Sequence, residues 1–239
     1  MPLSWLPPRI VLVEVRNPLN IGAAARAMAN FGLRDLVLVR PYHEAWKTAA
    51  SARAGIQVLA QARVVETLDA ALEGIVWAAA TSDLRRRKPE IPALDWPRDL
   101  ESCDLTVPWA VLFGSEKSGL GVEALSYCRA VFRLPTLPDS PSMNLGQAVA
   151  VCAYELRRRL SSNPAMPQPA TGMADLRQHE RIVETFLPIL ETIGVFRPQH
   201  RASQQRRLRS MLARWNISPG DARLLLGVGR ECRRALKIK

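Results

Sequence analysis

The chain has 239 residues, 48% of them hydrophobic, enough for one substantial core with a small appendage and more than a single minimal module needs. Its 33 Lys+Arg against 22 Asp+Glu leave a formal net charge of +11, which argues against an enzyme of small neutral metabolites and makes nucleic acid the leading partner. No run of eighteen apolar residues occurs, and Met1-Pro2-Leu3-Ser4-Trp5 has no basic stretch leading into an apolar one, so no membrane span, membrane partner or secretion signal is expected and the protein is read as cytoplasmic.

Residues 10–15 form a short β-branched run of the kind that makes a buried strand. Residues 21–31 read as a helix: the alanines at 23, 24, 25, 27 and 29 favour it and permit close packing, and Gly32 offers a C-terminal cap. Strands are expected at 36–39, 75–80, 110–113 and 131–134, with helices at 67–72, 122–127 and 145–160. Alternation of this kind predicts an α/β fold, a parallel sheet with helices on both faces, whose ligands bind beyond the carboxyl ends of the strands. Residues 161–174 open with a Pro- and Ser-rich stretch that marks a linker. It divides a first domain, 1–160, from a second, 175–239, with helices at 175–194, 204–215 and 221–236, Asp175 a candidate cap and Pro219 placed at the last helix's start. The first 160 residues carry 19 Lys+Arg against 16 Asp+Glu and the remainder 14 against 6, so the tail holds most of the excess charge. That excess suits RNA or, on composition alone, a solvated helical face. Cys103, Cys128, Cys152 and Cys232 are widely separated and lack metal-ligand spacing, so neither a metal nor a disulfide is expected.

Three loops after predicted strands carry the polar residues. In the first, 17–26, Asn20 can cap the helix, and Arg26 is awkward within an alanine-rich face unless it points to solvent, a cleft or an anion. The second, 112–121, sets three glycines around Glu116, letting backbone approach a ligand, yet has neither the GxxxxGK[ST] nor the GxGxxG order of a phosphate site. The third, 134–145, is stiffened by prolines, with Ser142 or Asn144 able to cap the next helix. His43, His179 and His200 lie outside all three, which disfavours a Ser/His/Asp hydrolase.

Taken in order, Asn20-Ile21-Gly22 with Arg26, Phe113-Gly114-Ser115-Glu116 with Gly119-Leu120, and Ser142-Met143-Asn144-Leu145 resemble the three motifs of SPOUT-superfamily RNA 2'-O-ribose methyltransferases. Each is weak alone, and the ordered trio is specific. The segments Ile10-Val11-Leu12-Val13-Glu14 and Ala79-Ala80-Thr81-Ser82 look like the TrmJ branch, with the tail matching more loosely. The resemblance implies a C-terminal trefoil knot in the first domain, an exception to unthreaded folding. S-adenosylmethionine would lie there, in a pocket lined by Ala79, Ala80, Thr81, Gly114, Leu134, Pro141, Ser142 and Met143. It implies methylation of a tRNA ribose, at cytidine or uridine 32 of the anticodon loop, with Arg26, Glu116, Ser142 and Asn144 as catalytic residues.

The family role of Arg26 is that of a base, but a guanidinium is almost always protonated. Orienting the ribose through a phosphate and stabilising the developing alkoxide suits it better. The resemblance also implies a homodimer in which Arg26 of one subunit reaches the donor site of the other. Arg85, Arg86, Arg87, Lys88, Arg206, Arg207, Arg209, Arg233, Arg234, Lys237 and Lys239 would then contact tRNA phosphates; alternatively the tail mainly completes the dimer. Two rival readings remain, a relative acting on ribosomal RNA or another tRNA nucleotide and a non-catalytic RNA-binding protein.

Overall fold

The structure, a computed structural model, describes residues 5–42, 53–81, 93–96, 98–137, 139–140, 142–162 and 172–238. Among them one parallel sheet is built from β1 (Arg9–Val13), β2 (Leu36–Val39), β3 (Arg63–Val65), β4 (Trp77–Thr81), β5 (Ala93–Asp95), β6 (Trp109–Phe113) and β7 (Ala130–Arg133). Their order is β3-β2-β1-β6-β4-β7-β5. The central strands are covered on both faces and therefore read as unbroken apolar runs. Alternate residues feed two cores. Ile10, Leu12, Leu36, Leu38, Val111 and Phe113 meet α1 (Pro18–Asn30), α2 (Ile56–Gln61) and α5 (Leu145–Ser162) on one face. Val11, Val37, Val39, Ala78, Ala80 and Leu112 meet α3 (Leu68–Ala71) and α4 (Val122–Ser126) on the other.

The predicted elements are present, with shifts at their ends, and three further strands or α-helices occur among the described residues. α2, β3 and β5 have 6, 3 and 3 residues, too short for periodicity to separate them from loop. β1 ends at Val13, two residues before the expected boundary, because Glu14 takes φ 54°. Arg40, just beyond β2, takes φ 45°, and its guanidinium pairs with the Glu14 carboxylate at 2.6 Å.

Helices α6 (Leu176–Thr192), α7 (Arg201–Ala213) and α8 (Pro219–Ala235) enclose a core of their own from Ile182, Val183, Leu212, Ile217, Ala222 and Leu226. Asp175 with Gln178 and Ser218 with Asp221 form reciprocal capping boxes at the starts of α6 and α8, and Pro219 opens α8. Residues 163–171 of the expected linker lie outside the described residues, whereas Met173 and Ala174 pack against the two cores. The helices dock on the sheet body: Leu176 joins its second core and donates its N–H to the Ile75 carbonyl at 2.7 Å. Arg209, expected among the phosphate contacts, is only 5% exposed and grips Glu180 with two nitrogens, at 2.6 and 2.7 Å. A guanidinium enclosed in this way is not available to RNA.

His179 on α6 is 4% exposed, and neither ring nitrogen has a hydrogen-bond partner. Burial lowers its pKa below the ordinary value, with nearby Asp175 opposing the shift. The unfolded chain therefore takes up the proton first, and stability falls as pH drops through the ordinary histidine value of about 6.5. Urea midpoints measured from pH 7.5 to 5 should fall on acidification, and His179→Leu should flatten that slope.

Candidate active site

The motif loops leave the carboxyl ends of β1, β6 and β7, with β4 lying between the last two. β1 pairs with β6, β6 with β4 and β4 with β7, in parallel, so residues 14–17, 114–121 and 134–137 emerge at one edge of the sheet. α1 begins earlier than expected. Its cap is Asn17, whose side chain accepts the Leu19 N–H at 2.9 Å, with Pro18 at the first helical position. The expected cap, Asn20, lies inside the first turn and is freed for another task.

Asn20 is 8% exposed, and its side chain joins the three loops. Its Nδ2 donates to Glu116 Oε1 at 2.5 Å, and its Oδ1 accepts from Asn144 Nδ2 at 2.9 Å. Asn144 Oδ1 in turn accepts the Gly146 N–H at 2.9 Å and so caps α5. Glu116 Oε2 also accepts the Arg16 N–H at 3.4 Å. The direction of this chain follows from its acidic end, because an ionised carboxylate only accepts. Asn20 must turn its NH2 toward Glu116, which leaves its oxygen for Asn144, and Asn144 then has an oxygen left for the helix start.

The glycines of the second loop serve the loop's own fold. A Cβ on Gly114 would lie 2.1 Å from the Gly119 carbonyl carbon and 2.2 Å from Leu120 N, and Gly119 itself takes φ 63°. Gly119 N–H reaches the Ser115 carbonyl at 2.8 Å, and Ser115, 5% exposed, sits 3.3 Å from Ser118 through their hydroxyls. Gly146 brings α5 close to α1, where a Cβ would meet that of Ala23 at 2.6 Å.

Of the expected donor-site residues, Ala79 and Ala80 are fully buried on opposite faces of β4 and offer only main chain. Thr81 ends the strand with its hydroxyl on the Leu112 carbonyl at 3.0 Å. Gly114 follows β6, and half-buried Leu134 follows β7, whose Phe132 is the sheet partner of Thr81. Half-buried Met143 and exposed Ser142 precede α5, and Ser142 has no hydrogen-bond partner among the described residues. Pro141, Arg85, Arg86, Arg87, Lys88 and Lys239 lie outside the described residues. Such a lining of backbone edges and neutral side chains suits a nucleoside-bearing sulfonium, which needs adenine and ribose read without a phosphate cradle.

Arg26 is not part of the network. It lies six residues beyond Asn20 on α1, about 9 Å along the axis, on the exposed side, and no ion pair or hydrogen bond holds its guanidinium among the described residues. Arg207 and Arg234 are exposed, Arg206 and Arg233 half-buried, with Arg234 3.5 Å from Glu231. A cleft lined by Gly74, Val107, Pro108, Met173, Gln178 and Arg181 opens at the opposite, amino edge of the sheet and involves no motif residue. Asn20→Ala should strand Glu116 and Asn144 and cost about 1–3 kcal/mol, read as a lower urea midpoint, while Asn17→Ala, which removes only a cap, should cost about 1 kcal/mol. Equal losses would show that Asn20 carries no more than a cap does.

The SpoU rRNA methylase family model matches residues 7–154. The chain is 33% identical, over 96% of its length and 95% of the relative's, to the tRNA (cytidine/uridine/adenosine-2'-O-)-methyltransferase TrmJ of Pseudomonas aeruginosa. It is 32% identical, over 92% of its length and 93% of the relative's, to the tRNA (cytidine/uridine-2'-O-)-methyltransferase TrmJ of Cronobacter sakazakii. Among solved structures, TrmJ from Z. mobilis superposes with a TM-score of 0.81 at 29% identity, covering 95% of this chain and 99% of that one. With one family model spanning the whole sheet body and relatives aligned through the helical tail, the chain belongs to the SpoU methylase family.

Proposed function

We propose that the chain is an S-adenosylmethionine-dependent enzyme that methylates the 2'-hydroxyl of a cytidine or uridine ribose in tRNA, at nucleotide 32 of the anticodon loop, in the cytoplasm. The observation that carries this reading is the Glu116–Asn20–Asn144 chain, which joins the three motif loops at one sheet edge, in a protein aligned over 92% and 96% of its length with relatives named as tRNA 2'-O-methyltransferases of cytidine and uridine. No described helix is long and apolar enough to cross a membrane. The knot of the resemblance would form where β7 and α5 close over this edge.

S-adenosylmethionine supplies an electrophilic methyl group when bound. The backbone edges at Thr81, Gly114 and Leu134 would hold its nucleoside, with Leu134 and Met143 shielding it from water. A ribose hydroxyl is a poor nucleophile at neutral pH and must pass its proton to solvent water as the new bond forms. In our reading Arg26 binds the adjacent phosphate, sets the ribose in line and stabilises the developing alkoxide. Its position outside its own subunit's network supports a shared site in a homodimer, completed by Arg26 of the second copy. Leu19, Val151 and Tyr154 on α1 and α5 are exposed apolar residues available for such an association. The tail's exposed arginines, Arg207 and Arg234 first, would meet tRNA phosphates.

The test is methyl transfer from labelled S-adenosylmethionine to unmodified tRNA and, separately, ribosomal RNA, with nuclease mapping of the product. A 2'-O-methylpyrimidine in tRNA is expected, with Arg26→Ala slower by about 100–1000-fold and Arg26→Lys intermediate. Label in ribosomal RNA alone would favour the substrate in the family model's description, and no donor binding would sink the enzymatic reading. Replacing Arg207 and Arg234 by Ala should lower the salt dependence of tRNA affinity by about 0.7–0.9 in log–log slope per charge, with the chemical rate at saturation retained.

A further inference from the structure

We infer that Arg209 is a positioning residue for the donor site: from the helical unit it grips α4 and thereby holds residues 114–121 in their folded shape. The inference rests on the reading above only for what that loop binds. Arg209 uses every side of its guanidinium. Nε and Nη2 take the two oxygens of Glu180 on α6, Nη1 donates to Ser126 Oγ at 3.0 Å and to the Glu123 carboxylate, and the plane lies 4.2 Å over the Tyr127 ring. A rigid planar fork that also stacks is what lysine cannot reproduce.

Of these contacts, those to Glu180 tie the tail helices to one another; the other three fall on α4 or the residue after it. α4 has five residues, and its cap, Gly121, makes no side-chain capping bond, so its own propensity cannot keep it helical. Its shape is imposed by burial of Leu120, Ala124 and Leu125 and by α7. Ser126 passes the grip along the helix, since its hydroxyl donates to the Glu123 carbonyl at 2.7 Å while its own carbonyl accepts from Ser210 at 3.4 Å. Gly121 joins α4 directly to Leu120, whose backbone closes on Gly114 within the space a Cβ would need. A shift of α4 therefore opens the Gly114–Leu120 contact and moves Glu116 against Asn20. By the same path, a change at the helical unit reaches the donor pocket, and donor binding must act back on that unit equally.

The experiment compares full-length wild type, Arg209→Lys and Glu123→Gln. Glu123 has a 55% exposed side chain, so its amide variant keeps the fold even where the arginine variant loosens it. Two quantities are read: amide hydrogen exchange of residues 114–121 in the free protein, and the Kd for S-adenosylmethionine by calorimetry. Exchange should quicken in that loop in both variants, and Kd should rise about tenfold for Arg209→Lys and about threefold for Glu123→Gln, with α6 and α8 still protected. Faster exchange confined to α6–α8, with the loop and the Kd as in wild type, would overturn the inference and leave Arg209 a staple of the tail. A wild type without donor affinity would instead overturn the enzymatic reading, and the exchange of the loop would still decide the coupling.

Discussion

A carboxylate at neutral pH has no proton to give, and the arrangement of the whole site follows from where Glu116 finds its donors. Its partner Asn20 is almost fully buried, where an unmet polar group is costly, so each amide in the chain is oriented by the one before it. The last oxygen in that chain caps α5. Loops that are distant in sequence, with Glu116 96 residues from Asn20 and Asn144 124 residues from it, are thereby tied to each other and to two helix starts. Such a network allows little slack, because a shift of any loop leaves two polar groups unpaired.

Much of this was legible in the sequence. Leu36–Val39 forms the strand expected at those four positions, because a covered strand between turn residues has few other options. The capping residues of α6 and the proline that opens α8 mark their helices by local chemistry alone. Asn20 was harder to read. Asn17 and Asn20 both suit a cap, and the signal favouring Asn17 was Pro18, which belongs at the first helical position; with the cap assigned there, Asn20 is left needing other partners.

Arg209 was illegible for a different reason. α7 carries Arg201, Arg206, Arg207 and Arg209 in thirteen residues, and nothing local distinguishes the one that turns inward. That choice is made by Glu180, Glu123 and Tyr127, whose meeting depends on how the tail docks on the sheet body. Much of the tail's positive charge thus remains available to an acidic partner, while one arginine is spent on architecture. The sheet body likewise required tertiary context at its edges: β3 and β5 are three residues each and exist because a neighbouring strand offers an unpaired edge.

The most direct test of the central claim is single-turnover methyl transfer by Glu116→Gln, with donor and tRNA both saturating. Glutamine can present its NH2 as well as its oxygen, so the carboxylate no longer dictates the direction of the Asn20–Asn144 chain. If that chain aligns donor and ribose, the chemical step should slow by about a hundredfold while both substrates still bind. A folded Glu116→Gln enzyme transferring methyl at the wild-type rate would contradict the account.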